Sequence, residues 1–275
     1  MREPVIFHID VNSAFLSWTA LARLEQGDPV DLRTIPSIVG GDTSTRHGVV
    51  LAKSIPAKAF GITTGEPVVN ALRKYPHLVM ASPDHNMYRL KSQMLMEHLA
   101  GICPGIEQVS VDECYMDYTP IAANYVSPEE AAAFIRHSVF EKFKFTVNVG
   151  ISDRKVLAKM ASDFEKPDKT HTLYQREIAQ KMWPLPVSAL FTCGHSSAET
   201  LHKLGILTIG DLAKTDPAIL EAHLKSHGRC LWQYANGIDD STVVLAPSKA
   251  KGIGNSTTLS SDATTKEEAC KVLLS

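Results

Sequence analysis

Hydrophobic residues along the chain alternate between short strand-like runs and segments at helical spacing. Residues 4–10 predict a strand, and the apolar positions from Ala14 to Leu24 predict a helix that follows it. Residues 84–100 form a longer amphipathic helix pattern, and residues 145–150 predict a further strand. The predicted elements follow in the order strand, helix, strand, strand, helix, strand. This order is typical of an α+β domain. Such a domain has an antiparallel or mixed sheet with helices on one side.

Beyond residue 172 the pattern changes to short helices. Residues 190–205 and 210–236 each predict a turn followed by a helix, with Gly194 in the first turn and Gly228 in the second. Two such units would form a helix-hairpin-helix pair, whose turn amides and helix N-termini can hold phosphates. Glycine between two short helices is common, so packing alone also explains this pattern.

The composition is that of an ordinary globular protein. The chain has 275 residues, 44% hydrophobic and 21% charged, which is enough for one large or two small domains. Its 28 basic and 30 acidic residues neither support nor exclude a nucleic-acid binder. The five cysteines are scattered without a C-x-x-C pair, and no apolar run is long enough for a membrane span. We therefore expect a cytoplasmic protein with reduced thiols and no membrane association.

Acidic residues follow two of the apolar runs. Ser110 to Glu113 predicts an apolar strand that delivers two adjacent carboxylates, Asp112 and Glu113, and Asp10 ends the first predicted strand. Three carboxylates at strand ends make a site for hard divalent cations. Two such ions form the usual clamp for in-line phosphoryl transfer. A single Asp-Glu pair is more often a solvated turn, so this interpretation depends on the rest of the chain.

Four ordered motifs and two thumb-like segments supply that context. They are residues 7–15, 57–62, 110–117, 149–167, 204–206 and 231–239. With these motifs the chain resembles the Y-family translesion DNA polymerases. The resemblance covers essentially the whole chain.

The resemblance implies a right-hand polymerase core with a palm sheet, small fingers and a helical thumb. The implied palm comprises residues 1–14 and 80–172, the fingers 15–79 and the helix-hairpin-helix thumb 173–240. Residues 241–275 would be a linker and the truncated start of a little-finger domain. One extended segment and a short helix cannot close a domain, so we expect the chain to be a fragment.

The resemblance also implies the catalytic residues. Asp10, Asp112 and Glu113 would hold two Mg²⁺ ions, with the Val11 carbonyl as a further ligand. Asp117 falls in the same motif, and for it we expect a structural role.

For the incoming nucleotide, the resemblance implies a steric gate and a set of phosphate contacts. Phe15 matches the aromatic gate that excludes ribonucleotides, and Lys166 matches a lysine that contacts the triphosphate. The fingers differ from the family, because Ala52, Ile55 and Lys58 stand where a hydroxyl residue, a tyrosine and an arginine are usual. Lysine keeps the charge but lacks the planar fork of arginine. We expect weaker nucleotide binding, or compensation from Ser54, Lys53 or the Thr63–Thr64 turn.

Contacts with DNA are expected from the predicted thumb turns, where Thr192-Cys193-Gly194 replaces the usual Gly-x-Gly. The residues are Gly194, Lys225, His227, Gly228 and Arg229. The implied partners are primer-template DNA, dNTPs and, through a missing C-terminal region, a sliding clamp, and the implied state is a monomer. One alternative is a catalytically weak DNA-binding accessory protein of DNA repair. A nucleotidyl cyclase also uses a palm-type sheet, but it needs no grip on duplex DNA.

Overall fold

The computed structural model describes residues 4–41, 48–245, 252–254, 256, 259 and 261–274. It divides into two compact units. The first comprises Met1–Asn12 and Arg89–Pro247, and the second comprises Ser13–Tyr88 and Ser248–Ser275. The further division into palm, fingers and thumb stays a prediction.

The first unit is built on a five-stranded mixed sheet with the order β5-β6-β1-β7-β8. Its strands are β1 (Ile6–Val11), β5 (Ile106–Gln108), β6 (Glu113–Asp117), β7 (Val147–Ser152) and β8 (Thr170–Thr172). The central strand β1 is antiparallel to both neighbours, whereas β7 and β8 are parallel. Every residue of β1 and β7 is buried, which explains their nearly continuous apolar runs. The α+β class and the mixed sheet are confirmed.

One predicted strand is partly wrong. Residues 110–112 form a turn, and β6 begins only at Glu113. The Ser110 hydroxyl lies 2.6 Å from Asp112 Oδ1, and the Glu113 carbonyl accepts the backbone N–H groups of Val109 and Ser110. These local hydrogen bonds close a tight turn, so Asp112 precedes the strand.

Two helices of the first unit pack on the sheet. They are α5 (Pro128–Phe143) and α6 (Lys155–Ser162). Ser127, followed by Pro128 and two glutamates, is typical of a helix start, and its hydroxyl accepts the Glu130 N–H at 3.2 Å as the cap of α5. The sequence also predicts that Ser152 or Asp153 caps α6, and that prediction is wrong. The N-cap residue of α6 is Arg154, and the Asp239 carboxylate accepts the Val156 N–H at 2.9 Å.

Short helices complete the first unit. They are α7 (Ile178–Lys181), α8 (His195–Lys203), α9 (Ile209–Lys214), α10 (Pro217–Leu224) and α11 (Ser226–Ala235). Their apolar side chains, among them Leu201, Leu212 and Leu231, share one core with Leu157 and Met160 of α6. These helices therefore pack directly on the helix that carries Lys159.

The second unit contains a small three-stranded sheet with the order β3-β2-β4. Its elements are α1 (Ala14–Glu25), β2 (Ser37–Gly40), β3 (Val50–Lys53), α2 (Ile55–Ala59), α3 (Val68–Lys74) and β4 (Val79–Ala81). The sequence pattern of residues 35–55 predicts two strands joined by a polar turn at residues 40–45, and β2 and β3 confirm the two strands. Residues 42–45 of that turn lie outside the described residues.

Two helices remain. Helix α4 (His85–Ile102) runs through the chain boundary between the units, and α12 (Lys266–Leu273) follows the predicted linker. Residues 246–251 of that linker lie outside the described residues, as does part of 255–260. None of the helices within the described ranges is long and apolar enough to cross a membrane.

Candidate active site

The sheet register brings the predicted carboxylates to one end of β1 and β6. Asp10 pairs with Glu113 across the two antiparallel strands. The carbonyl of Asp112 accepts the Val11 N–H at 3.0 Å, which fixes the turn beside the end of β1. Residues that adjoin in this way have closely spaced side chains. The three residues singled out from the sequence therefore share one small region of the first unit.

Two lysines form ion pairs with the carboxylates of Glu113 and Asp10. Lys159 Nζ lies 2.8 Å from Glu113 Oε2, and Lys166 donates a hydrogen bond to Asp10. Lys166 Nζ also lies 2.8 Å from Asp163 Oδ1. The predicted strand-end carboxylates are thus held in charge-assisted pairs with lysines that follow β7 in the chain.

His8 is a member of this site that sequence reasoning missed. It is 1% exposed, with Nε2 at 3.2 Å from Glu113 Oε2 and Nδ1 at 2.8 Å from Ser162 Oγ. The eleven histidines show no spacing typical of a metal site, so the sequence predicts surface or packing roles for most of them. The available signal was the period of two in a strand, which puts His8 and Asp10 on the same face of β1.

The two adjacent acids have pKa values shifted in opposite directions. The hydrogen bond from His8, and then that from Lys159, lowers the pKa of Glu113 to about 2. Burial, and then the charges of Asp10 and Glu113, raises the pKa of Asp112. Burial also lowers the pKa of His8, which favours a neutral imidazole. Opposed shifts in neighbouring acids are common at functional sites.

The donor set has the chemistry that Mg²⁺ requires, because carboxylate and carbonyl oxygens are its usual protein ligands. Across the described ranges, however, no group of three or more acidic, histidine or cysteine side chains is arranged to hold a metal ion. Asp10 and Glu113 instead each contact a lysine. The donor types fit, and the number of ions and the role of the Val11 carbonyl stay predictions.

A buried amide pair, also missed from the sequence, holds the segment that carries Lys166. Asn12 Nδ2 donates to Asn148 Oδ1 at 3.0 Å. Asn12 Oδ1 accepts the Asp168 N–H at 2.9 Å, and Asn148 Oδ1 accepts the Lys169 N–H at 3.1 Å. Asn148 Nδ2 also donates to the Glu165 carbonyl at 2.6 Å. Both asparagines are buried, so these bonds anchor the loop on either side of Lys166.

Comparison with known proteins identifies the family. Residues 9–163 match the impB/mucB/samB family. The chain is 50% identical to DNA polymerase IV of Clostridium acetobutylicum over 272 residues, which is 99% of this chain and 68% of that protein. It is 37% identical to DNA polymerase IV of Alkaliphilus oremlandii, over 99% of this chain and 67% of that protein.

The chain belongs to the Y-family DNA polymerases. It spans about two thirds of the length of these curated relatives. Solved structures agree on the Y-family fold. A Y-family DNA polymerase chimera of Dbh and Dpo4 has a TM-score of 0.75 at 22% identity, over 87% of this chain and 69% of that chain. A Dbh ternary complex has a TM-score of 0.72 at 24% identity, over 86% and 68%.

In the second unit of this Y-family polymerase, the residues predicted to contact the nucleotide differ in burial and in their neighbours. Phe15 is half-buried, and its ring centroid lies 4.7 Å from that of Tyr88. Lys58 is exposed on α2. Ser54 is buried, and its hydroxyl contacts Ile35, Ser37 and Ala57 backbone groups at 2.7, 3.1 and 3.0 Å. All the hydrogen bonds that the Ser54 hydroxyl can make are formed with backbone groups. We therefore do not include Ser54 among the proposed nucleotide contacts.

The predicted DNA contacts of the polymerase lie among its short helices. Gly194 is the N-cap of α8 and has open space where a Cβ would lie, and Lys225 separates α10 from α11. Arg229 Nη1 pairs with Glu221 Oε1 at 2.8 Å, and His227 is half-buried.

Gly228 lies inside α11, so its predicted place in a turn is wrong. A Cβ there would overlap the Leu220 carbonyl, and the missing side chain lets α10 and α11 pack closely. The packing interpretation of the glycine pattern therefore applies to Gly228. A contact of Gly228 with DNA stays a prediction.

Proposed function

We propose that the protein is a template-directed, error-prone translesion DNA polymerase that adds dNTPs to a primer 3′-end by two-metal phosphoryl transfer. The carrying observation is the register that pairs Asp10 with Glu113 and sets Asp112 beside them in a Y-family chain. Carboxylates gathered at the ends of adjacent strands are what this chemistry requires.

Asp10, Asp112 and Glu113 would hold two Mg²⁺ ions, with the Val11 carbonyl as a further ligand. When bound, the ions screen phosphate charge and favour deprotonation of the primer hydroxyl. The chain's own part is electrostatic. Glu113 stays ionised through His8 and Lys159, and Lys166 offers an ammonium group beside Asp10 for the incoming phosphates.

In the second unit, the nucleotide contacts that we propose are Phe15 and Lys58. Phe15 would exclude a ribose 2′-hydroxyl, and Lys58 would bind the triphosphate as a point charge. Lys53 is a second cation for the same phosphates. Burial, and then the Lys58 charge, lowers the pKa of Lys53, so an anion such as a triphosphate would stabilise the charged form of Lys53.

DNA binding would use backbone phosphates rather than base edges. Gly194, Lys225, His227 and Arg229 are the proposed contacts, and they predict affinity that falls steeply with salt. The partners are primer-template DNA and dNTPs, and the enzyme would act as a cytoplasmic monomer. A sliding-clamp contact rests on the family resemblance alone.

The alternative is an accessory DNA-binding protein with weak catalysis. Ala52 is buried and Ile55 is 63% exposed without a hydroxyl group, which favours weak nucleotide binding. Primer extension with Mg²⁺ and dNTPs at low salt separates the two functions. The wild type should extend, and Asp112→Ala should lose several orders of magnitude in rate with unchanged DNA binding.

Asp117→Asn is the control, because Asp117 ends β6, the strand that begins directly after Asp112, and its Oδ1 accepts the Thr119 N–H at 2.9 Å. It should extend primers like the wild type. Binding of DNA by all three proteins without extension by any of them would favour the accessory function.

A further inference from the structure

A hydrogen-bonded histidine lies directly behind the catalytic carboxylates. His8 is two residues before Asp10 on β1 and is 1% exposed. Both of its ring nitrogens have partners, Glu113 Oε2 at 3.2 Å and Ser162 Oγ at 2.8 Å. A buried imidazole satisfied on both sides has one orientation, because any rotation would leave a polar atom unpaired.

Two donors meet on a single oxygen of Glu113. Lys159 Nζ lies 2.8 Å from Oε2, the same atom that His8 contacts. Over the parts of the chain that the structure describes, Oε1 has no hydrogen-bond donor. The carboxylate is therefore fixed at Oε2 from two directions, and Oε1 is the oxygen left for other partners.

The histidine also ties the strand to the helix that supplies the lysine. Ser162 lies at the end of α6, and its hydroxyl is 2.7 Å from the Lys159 carbonyl. The path from Ser162 through His8 and Glu113 to Lys159 is thus a closed circuit that joins β1, β6 and α6. An apolar residue at position 8 could fill the same volume but could not hydrogen-bond to Glu113 and Ser162.

We propose that His8 is a positioning residue that holds Glu113 Oε2 so that Oε1 faces the divalent cation and the reacting groups. The inference rests on the proposed polymerase function. It assigns His8 no contact with substrate and no proton transfer. Hydrogen-bonded groups behind a ligand orient it, and their loss typically weakens metal affinity or activity about 10–100-fold.

Two polar substitutions of similar size separate positioning from packing. The amide nitrogen of glutamine reaches the position of Nε2, whereas that of asparagine reaches only the position of Nδ1. His8→Gln should therefore retain the bond to Glu113, and His8→Asn should lose it. His171→Asn is the matched control, because His171 lies in β8 of the same sheet and its Nε2 has no hydrogen-bond partner among the described residues.

Two measurements are made on each variant of the full chain. Mn²⁺ binding is followed without DNA by electron paramagnetic resonance, and single-turnover dNTP incorporation is measured with Mg²⁺. We expect His8→Asn to lose about 10–100-fold in Mn²⁺ affinity and in maximal rate, with unchanged half-saturation for dNTP. His8→Gln and His171→Asn should stay within about threefold of the wild type.

Equal Mn²⁺ affinity in wild type and His8→Asn would overturn the proposal. Equal loss in His8→Gln and His8→Asn, together with a lower melting temperature in both, would also overturn it in favour of packing. If the wild type binds Mn²⁺ but extends no primer, the polymerase proposal fails, and the Mn²⁺ affinities still decide the role of His8.

Discussion

The charged groups proposed for catalysis in the first unit and for nucleotide binding in the second unit have different surroundings. In the first unit, Glu113 and Asp10 are each matched by a lysine of the same unit. In the second unit, burial and then the charge of Lys58 lower the pKa of Lys53, and the charge of Glu66 opposes them. Within the described residues, Lys53 Nζ has one long hydrogen bond, 3.4 Å, to Thr64 Oγ1. The carboxylates are thus paired with cations, whereas the environment of Lys53 disfavours its charge.

This difference indicates that the first unit carries out the chemical step and the second unit binds the nucleotide. Matched charges hold the carboxylates in place, so changes there should alter the chemical step. A lysine whose charge is disfavoured by its surroundings is stabilised by an anion, and a triphosphate is such an anion. Changes in the second unit should therefore alter the binding and selection of the nucleotide, not the chemical step.

The largest effect expected in the second unit concerns the selection of the nucleotide sugar. Phe15→Ala should reduce the preference for dNTP over rNTP by roughly 10–200-fold, because the aromatic ring no longer excludes the 2′-hydroxyl. The incorporation rate of dNTP should stay near that of the wild type. Competing incorporation of the two sugars on one template measures the ratio.

Phe60→Ala is the control for Phe15→Ala. Phe60 belongs to the same unit and its ring stacks on Tyr75 at 4.2 Å, so its removal also breaks an aromatic contact of that unit. Equal loss of sugar preference in both variants would contradict the role given to Phe15.

The next effect concerns stability, and it has opposite signs at two adjacent acids. Glu113→Gln should lower the free energy of unfolding at pH 7 by on the order of 1–3 kcal/mol, because its pKa falls from 4.5 to about 2 on folding. Asp112→Asn should raise the melting temperature, because burial disfavours the ionised Asp112. Thermal unfolding in a chelating buffer compares the two variants.

The pH dependence follows from the same shifts. The pKa of Glu113 is lowered on folding, so its contribution is present above about pH 4.5 and is lost as the pH falls towards 2. The pKa of Asp112 is raised, so its cost is relieved as the pH falls. Melting temperatures of both variants that change in the same direction at pH 7 would contradict this assignment.

The smallest effect tests a residue that we removed from the nucleotide site. Ser54→Ala should cost about 1 kcal/mol of stability through loss of the α2 cap, with no change in half-saturation for dNTP. Ser127→Ala removes the comparable cap of α5 in the first unit and is the matched control. A rise in dNTP half-saturation only in Ser54→Ala would restore Ser54 to the nucleotide site.

The sequence predicted those features that depend on local pattern. The apolar run of β1 and the acids at positions 10 and 113 were found because a buried strand leaves its polar residues at the end. The turn at 110–112 was missed, because Ser110 supplies hydrogen bonds that an apolar-run pattern does not reveal.

The spacing of apolar residues does not predict which residues far apart in the chain form hydrogen bonds. His8 is 154 residues from Ser162, and Asn12 is 136 residues from Asn148, so nothing local marks either pair. Gly228 was assigned to a turn because glycine is common there, whereas the Leu220 carbonyl across a helix pair is what requires it. Packing between elements decided these positions.

The most direct test of the account is a single-turnover titration of dNTP with two variants, one from each unit. Glu113→Gln should lower the maximal rate by several orders of magnitude and leave half-saturation near the wild-type value. Lys58→Met should raise half-saturation about tenfold, since a charge-assisted bond is worth roughly 1.5–3 kcal/mol, with a maximal rate close to that of the wild type. Glu107→Gln, on neighbouring β5, is the control and should match the wild type in both parameters. A change in the same parameter for Glu113→Gln and Lys58→Met would contradict the division of chemistry and nucleotide binding between the two units.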